Sequence, residues 1–176
     1  IAAVGLIAHE DQAILGQARE GHVALLIGDT EGHLGQSALL AEVFNRIEGD
    51  APAVDLAAEK RNGDFIRDHH EWITACLDLS DGGLAMAAFE MAEASNVGVK
   101  IDSENTQELF GEDQARYLVA CNFDQAEALM GAAMRAGVPI TSVGKFTGSD
   151  ITFGAITAPL EELRNIYRNS FAETFA

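Results

Sequence analysis

The sequence has few basic residues and no long apolar run, and each shortage excludes a class of protein. Its 11 Lys and Arg residues against 28 Asp and Glu residues give a formal net charge of −17 at pH 7. A surface of that charge repels phosphate backbones and anionic membranes, which argues against nucleic-acid and membrane partners. No apolar run reaches the roughly 18–20 residues of a bilayer-spanning helix, and none resembles a signal peptide with a basic first part. The sequence therefore predicts a cytoplasmic protein.

Cysteine is also scarce, and the sequence pattern excludes a disulfide-rich or metal-stabilised domain. The two cysteines, Cys76 and Cys121, both lie in apolar, strand-like runs, which predicts buried reduced thiols. The neighbouring His69 and His70 point in different directions on a helix and lack the i,i+4 spacing of a zinc site. We predict no metal site in this chain.

The length of 176 residues suits one domain with an ample core. The chain begins at Ile1 without an initiator Met, in an apolar run that is at full strength from its first residue. We interpret residues 1–176 as a single domain, a fragment of a longer polypeptide. A processed N-terminus is the alternative interpretation.

Apolar periodicity predicts strands and helices that alternate along the chain. The predicted strands are 1–8, 22–28, 75–79, 97–101, 116–121, 138–146 and 151–156. The predicted helices are 37–47, 54–73, 83–95, 124–135 and a last one capped by Thr157 with Pro159 in its first turn. The last two strands are expected to form a hairpin around 148–150. This order predicts an α+β fold with α/β-type layers, in which helices flank a mixed β-sheet.

The segment Ser80-Asp81-Gly82-Gly83 joins a predicted strand to a predicted helix. Such a turn directs backbone N–H groups and the positive end of a helix toward whatever binds there, which suits anions. The glycines permit close approach of a ligand, and the two polar residues can cap the helix. An ordinary strand-to-helix connection has the same residues, so both interpretations stay open on physical grounds.

Three other segments have weaker chemical signals. Residues 32–37 precede a helix and could hold a phosphate, although a helix capped by Ser37 is the more frequent meaning of such a pattern. Arg116 either faces a nucleotide site together with Gln114, two residues away on an extended segment, or pairs with a nearby carboxylate. Residues 144–149 are not a phosphate-binding loop of the Walker type, because Phe146 occupies the Ser/Thr position.

Four segments of the sequence, in the same order, resemble the phosphoribosylformylglycinamidine synthase family, in its large subunit. They are Gly28 to Ser37, Leu77 to Ala85, Leu109 to Val119 and Ile140 to Phe146. The second of them contains the D-x-S-D-G-G-L-A pattern of that family. One departure is Gln36, where family members often have a second glycine. The resemblance covers nearly the whole chain and identifies it with the C-terminal domain of the small bacterial form of the enzyme.

The resemblance implies a fold like the C-terminal domain of aminoimidazole ribonucleotide synthetase and a parent enzyme of purine synthesis. The parent is expected to use ATP and Mg²⁺ to convert formylglycinamide ribonucleotide to its amidine with glutamine-derived ammonia, as a C–N ligase. ATP phosphorylates the amide oxygen, and ammonia then displaces phosphate. The implied partners are N-terminal domains of the same chain, a glutaminase subunit and a small accessory subunit.

The resemblance also limits what this chain does alone. The main catalytic histidine and most nucleotide and Mg²⁺ ligands of the family belong to upstream segments, so we expect no catalytic residue here and an inactive isolated domain. The residues expected to line the nucleotide or substrate cleft are Ser80, Asp81, Gly82 and Gly83, with Arg116 behind them. Two alternatives remain: another superfamily member (aminoimidazole ribonucleotide synthetase, selenophosphate synthetase or thiamine-phosphate kinase), or a non-catalytic interface module.

Overall fold

A seven-stranded mixed sheet organises the molecule. The structure is a computed structural model that describes residues 5–174, without the side chains of Asp11 and of residues 171–174. The strands are β1 (Val23–Ile27), β2 (Ala75–Asp78), β3 (Val99–Ile101), β4 (Tyr117–Cys121), β5 (Ile140–Phe146), β6 (Asp150–Phe153) and β7 (Ile156–Pro159). Their order across the sheet is β2-β4-β1-β5-β3-β6-β7. Every neighbouring pair is antiparallel except β3 and β6, which run parallel.

Five α-helices cover the sheet. They are α1 (Leu56–Asp68), α2 (Gly83–Ser95), α3 (Thr106–Phe110), α4 (Phe123–Ala136) and α5 (Leu160–Thr174). Two short 3-10 helices (Glu10–Gln12 and His70–Trp72) and a π-helix (Leu39–Val43) complete the regular structure. No helix among the described residues is long and apolar enough to cross a membrane.

The two faces of the sheet carry separate cores because side chains alternate along each strand. In β1, Ala24 and Leu26 pack with α2 and the start of α5, whereas Leu25 and Ile27 pack with α1 and α4. All four side chains are buried, so β1 is covered on both faces. The prediction of an α+β fold with a mixed sheet between helices is confirmed.

Several predicted elements match closely because their local signals are strong. Helix α2 has the predicted bounds and ends where Asn96 takes a left-handed conformation. Helix α1 starts after Asp55, whose carboxylate accepts hydrogen bonds from the backbone N–H groups of Ala57 at 2.9 Å and Ala58 at 3.1 Å. It continues through Gly63 and ends at Asp68, before the predicted end of the helical stretch.

The hairpin predicted between β5 and β6 is wrong, because β3 lies between them. Val99 pairs antiparallel with Phe146 on one side and parallel with Ile151 on the other. Val99 and Ile101 are fully buried, so β3 is stabilised by a neighbour on each edge. The turn around 148 closes on Gly98 instead: the Gly98 N–H donates to the Gly148 carbonyl at 2.7 Å. The true hairpin joins β6 and β7.

Predictions at both ends of the chain need correction. Residues 1–4 lie outside the described residues, and 5–8 form no strand. Thr157 does not cap the last helix: it belongs to edge strand β7, where its hydroxyl lies 3.1 Å from that of Thr152. Pro159 ends this strand, since a sheet edge tolerates a residue without an N–H. Helix α5 starts one residue later.

The predicted helix 37–47 is present only as the π-helix Leu39–Val43. Its periodic apolar residues do not form a packed face. Val43, Phe44 and Ile47 are exposed, Ile47 to 85% of its full surface. The helical spacing of these side chains thus indicates a surface that this domain leaves uncovered.

Candidate functional site

The turn 80–83 requires both of its glycines for conformation and packing. Gly82 and Gly83 adopt left-handed backbone angles, with φ of 77° and 59°. A Cβ on Gly83 would lie 2.4 Å from the carbonyl oxygen of Gly111. Ser80 and Asp81 are exposed, whereas the two glycines are buried. The turn therefore presents its polar residues outward while its glycines pack against the segment that follows α3.

Glu112 connects this turn to the loop that follows β1. Its Oε1 accepts a hydrogen bond from the Gly82 N–H at 2.9 Å and another from the Ala38 N–H at 2.8 Å. Its own N–H donates to the His33 carbonyl at 2.8 Å. One glutamate thus contacts both segments in which the sequence suggested an anion site.

The Asp113 carboxylate accepts hydrogen bonds from backbone N–H groups of the same loop. It accepts from Glu31 at 3.1 Å, from Gly32 at 2.9 Å and from His33 at 3.0 Å. Three convergent N–H groups are a typical anion-binding arrangement. The protein's own carboxylate occupies it here. The prediction that Ser37 caps the next helix needs correction, because the N-cap residue is Ala38, although the Ser37 hydroxyl accepts from the Leu40 N–H at 3.3 Å.

Arg116 lies behind the loop rather than facing solvent. Its side chain is 0% exposed and pairs with the Asp113 carboxylate, Nη1 to Oδ2, at 3.7 Å. Its guanidinium also donates to Thr30 Oγ1 at 3.2 Å and to the Gly111 carbonyl. Burial lowers the pKa of Arg116 below its ordinary value, and the Asp113 carboxylate acts in the opposite direction. Of the two interpretations of Arg116, this geometry agrees with the carboxylate pair.

Three cavities lie beside these segments. One, of about 190 Å³, is lined by Glu31, His33, Arg61 and Asp113, among others, and the other two adjoin the ends of β1 and β3 and the turn. The larger, of about 400 Å³, opens where β1 and β3 end and is lined by Thr30, Leu84, Asp29, Asp102 and Glu108, among others. The C-terminal ends of strands are where α/β folds bind ligands. A smaller cavity of about 190 Å³ lies against the turn. Its lining includes Ser80, Asp81 and Gly83, together with Asp78 and Glu90.

The cavity at the ends of β1 and β3 and the cavity against the turn are both acidic. Among the described residues that line them there are carboxylates and no Lys or Arg. The described residues also include no group of three or more His, Cys, Asp or Glu side chains placed to hold a metal ion. These surfaces suit the hydroxyl and amide groups of a ligand better than its phosphates.

The two thiols are unsuited to nucleophilic chemistry. Cys121 is buried and Cys76 half-buried, and neither forms a disulfide. Burial raises the pKa of Cys76 to about 12, with a smaller contribution from Asp78, and burial raises that of Cys121 to about 11. Both thiols are therefore protonated at neutral pH, and a thiol in that form is a weak nucleophile.

Comparison with known proteins decides the family. The family model described as AIR synthase related protein, C-terminal domain, matches residues 19–156, which is most of the chain. The chain belongs to this family. Curated relatives of the name phosphoribosylformylglycinamidine synthase subunit PurL confirm the resemblance carried by the four sequence segments.

Curated relatives in the family are much longer than this chain. It is 67% identical over all 176 residues to phosphoribosylformylglycinamidine synthase subunit PurL of Ruegeria sp. (strain TM1040), and 64% identical over the same length to that of Roseobacter denitrificans. In each case it spans 24% of the relative's length. The chain therefore corresponds to about a quarter of these PurL subunits.

Solved structures show that the family fold is shared. The chain matches Thermotoga maritima PurL complexed with FGAR with a TM-score of 0.73 at 18% identity, covering 88% of this chain and 30% of that one. Thiamine-monophosphate kinase from Stenotrophomonas maltophilia matches with a TM-score of 0.55 at 20% identity, covering 84% of this chain and 54% of the kinase. At these identities the likeness concerns the fold.

Sequence reasoning found the segments of the site but not the residues that join them. The structure brings Gly82 and Arg116 to the same junction, where Gly82 donates a hydrogen bond to Glu112 and Arg116 pairs with Asp113. Those two acidic residues stand just before β4 in the sequence, which gives no direct sign of their contacts. The sequence feature that could have indicated their role is their position. Two consecutive acidic residues precede a strand in a segment that resembles the family, and glycine-rich backbone elsewhere in the chain needs hydrogen-bond acceptors.

Proposed function

We propose that the chain is the C-terminal domain of a phosphoribosylformylglycinamidine synthase large subunit. The observation that carries the proposal is the 67% identity along the full chain to a subunit of that name. The parent enzyme performs the ATP-dependent amidation of formylglycinamide ribonucleotide with ammonia derived from glutamine. It acts in purine biosynthesis as a cytoplasmic C–N ligase, and this domain on its own is inactive.

The domain's surface supports a place inside a longer polypeptide. The segment 39–56 exposes Val43, Phe44, Ile47, Val54 and Leu56. Large exposed apolar side chains this close together in the sequence favour an interface. Upstream domains of the same chain are the occupant that the length of the relatives favours. The glutaminase and small accessory subunits are further partners in this proposal, and the solved PurLQS assembly of Thermotoga maritima is consistent with it.

The residues of this chain do not by themselves fit a triphosphate or Mg²⁺. The cavity at the strand ends and the cavity against the turn are lined by carboxylates, which repel phosphate, and the Arg116 guanidinium is fully buried in contacts with the chain itself. The described residues include no group of three or more His, Cys, Asp or Glu side chains placed to hold a metal ion. We therefore assign the phosphate-binding cations and metal ligands to the rest of the parent enzyme. ATP, bound there with Mg²⁺, would supply the phosphoryl group that activates the amide oxygen.

The role left to this domain is to shape the cleft and exclude water from it. In the proposal, Ser80 and Asp81 line the cleft with exposed side chains, and Gly82 and Gly83 hold the turn in its left-handed conformation. Arg116 supports the turn from behind by fixing the Gly111 carbonyl and Thr30. No residue of this chain acts as the catalytic base or nucleophile.

Calorimetric titration of Mg·ATP tests the proposal most directly. The titrant is added to this chain and to the same chain extended upstream by the preceding domain. We expect binding only to the extended chain. Comparable binding to both would overturn the assignment of the phosphate site to the upstream part and would place a self-sufficient nucleotide site in this domain.

A matched pair of variants then tests the turn. Asp81→Asn in the extended enzyme is expected to lower kcat/KM for formylglycinamide ribonucleotide by about tenfold, the cost of one lost polar contact in a site. Glu127→Gln, an exposed carboxylate on α4 at the other face of the sheet, serves as the control and leaves the kinetics unchanged. Equal effects of the two substitutions would remove the turn from the cleft.

The non-catalytic interface alternative predicts a different result. Under it, Asp81→Asn changes nothing in the kinetics, while substitutions at Phe44 or Ile47 weaken the association with the upstream domains. The thiamine-phosphate kinase alternative has less support, since its solved structure matches with the lower TM-score.

A further inference from the structure

Glu112 lies where two separate segments begin their helices. Gly82 immediately precedes α2, and Ala38 immediately precedes the π-helix Leu39–Val43. Both N–H groups donate to the same oxygen, Oε1 of Glu112. A carboxylate oxygen accepts two hydrogen bonds through its two lone pairs, and its charge strengthens both. One side chain therefore satisfies an N-terminal donor of each segment.

The backbone of Glu112 leaves its side chain little freedom. Its N–H donates to the His33 carbonyl at 2.8 Å, which anchors it to the loop after β1. The preceding Gly111 is packed so closely that a Cβ there would lie 2.9 Å from the Cα of Gly32. Gly83 lies against the Gly111 carbonyl on the other side. Three segments thus meet backbone to backbone at Glu112.

The neighbouring Asp113 provides a contrast within the same junction. Its carboxylate accepts hydrogen bonds from the N–H groups of residues 31–33 and pairs with the Arg116 guanidinium, and among the described residues it accepts none from the turn. Loss of Asp113 should therefore loosen the loop more than the turn. Loss of Glu112 should loosen the loop and the turn together, because the two share one oxygen.

We propose that Glu112 is a positioning residue that couples the 80–83 turn to the loop 28–38, so that each holds its conformation only while the other is held. The loop contributes Asp29 and Thr30 to the larger cavity, and the turn contributes Ser80 and Asp81 to the smaller one. Glu112 thereby fixes the relative placement of the two cavity walls. Its relevance to catalysis rests on the proposed function, whereas the coupling itself does not.

Amide hydrogen exchange, followed by NMR on this chain without any ligand, tests the coupling. In Glu112→Gln we expect exchange at Ala38 and at Gly82 to accelerate by a common factor of about ten, since a neutral acceptor replaces a charged one. In the matched variant Asp113→Asn, exchange accelerates at residues 31–33, and that of Gly82 stays within about twofold. The Leu118 amide in the buried strand β4 reports global opening.

Each outcome decides the proposal. Acceleration at only one of Ala38 and Gly82 overturns the coupling. An equal acceleration at Leu118 also overturns it, because the substitution then acts through global unfolding. If Glu112→Gln does not fold, Glu112→Asp is measured instead. Its shorter side chain reaches at most one donor, and release of the other alone contradicts the mutual dependence.

Kinetics of the extended enzyme separate this proposal from the proposed function. If both hold, Glu112→Gln lowers kcat for formylglycinamide ribonucleotide more than it changes KM, because the placement of the cavity walls is disturbed. If exchange at Gly82 rises while the kinetics stay unchanged, the coupling stands and the assignment of the turn to the cleft fails.

Discussion

Two consecutive parts of the chain, the loop 28–38 and the segment 39–56, differ in how the protein uses their backbone and side chains. In the loop, the N–H groups of four residues donate to the carboxylates of Glu112 and Asp113. In the segment, apolar side chains at helical spacing stay exposed, Phe44 to 57%. The loop finds its hydrogen-bond acceptors within this chain, whereas the segment leaves its apolar side chains exposed.

The comparison shows that a local sequence pattern can predict a binding site where the chain satisfies itself, and a core element where the side chains stay exposed. The glycine-rich loop and turn have the features of a phosphate site, yet the acceptors are the chain's own carboxylates. The amphipathic helix pattern looks like an ordinary core element, yet it points to a partner. The two cases can be distinguished only when the structure shows which residues contact the loop and which contact the segment.

Removal of the buried cation of the junction should have the largest effect. Arg116→Met leaves the Asp113 carboxylate buried without its ion pair, and we expect a loss of about 3–5 kcal/mol in the free energy of unfolding. Urea denaturation of this chain measures it. The double variant with Asp113→Asn should recover part of the loss. A loss below about 1 kcal/mol would show that the junction does not depend on Arg116.

A substitution that disturbs the packing of the turn should cause the next largest loss of stability. Gly83→Ala places a Cβ 2.4 Å from the Gly111 carbonyl in a left-handed conformation, and we expect a loss of about 3 kcal/mol. Gly137→Ala is the control: its φ is 66° and nothing lies within 4 Å of the added Cβ. That variant should lose only about 1 kcal/mol. Equal losses in thermal denaturation would mean that the contact with Gly111 has no cost.

Alkaline pH should lower the free energy of unfolding by a smaller amount. Burial raises the pKa of Cys121 to about 11 in the folded chain, so the unfolded thiol ionises first as the pH rises. At a pH below the pKa of the thiol in the unfolded chain, this difference does not change the free energy of unfolding. Stability should then fall between about pH 9 and pH 11. Cys121→Ala should flatten this part of the stability profile measured by urea denaturation. An unchanged slope would assign the decline to other groups such as Tyr117, whose pKa burial also raises.

The exposed segment should show the smallest effect on stability. Ile47→Ser removes an apolar side chain that is 85% exposed, and we expect a change within about 0.5 kcal/mol in the isolated chain. In the extended enzyme the same substitution should weaken domain association, seen as faster proteolysis between the domains. A large loss of stability in the isolated chain would show that Ile47 packs within this domain after all.

Sequence reasoning found most elements whose signals are local. Strands β1, β2 and β4 and helices α2 and α4 follow from apolar runs bounded by glycine or asparagine, and their bounds agree within a few residues. Helix α3 was missed because it is one short turn with a single buried residue, Leu109. The β5–β6 hairpin was wrong because the insertion of β3 is a pairing between residues far apart in sequence, which no turn signal records.

The sequence allowed us to predict which segments form the candidate site, but not which residues contact one another there. The resemblance pointed to the turn and to the segments around Gly32 and Arg116, and the structure does place them together. The hydrogen bonds from the loop to Asp113 join residues about 80 apart. Sequence spacing contains no information on such contacts, so the role of the two carboxylates emerged only from the fold.

The position of β1 in the sheet has a consequence for how the chain is made. Of the strands that the structure describes it is the first to be synthesised, yet both of its neighbours, β4 and β5, come from the second half of the chain. At synthesis rates of about 5–20 residues per second, completion of β5 follows that of β1 by roughly 6–24 s. During that interval the most apolar strand of the domain has no partner, and a chaperone that covers Val23–Ile27 would protect the nascent protein from aggregation.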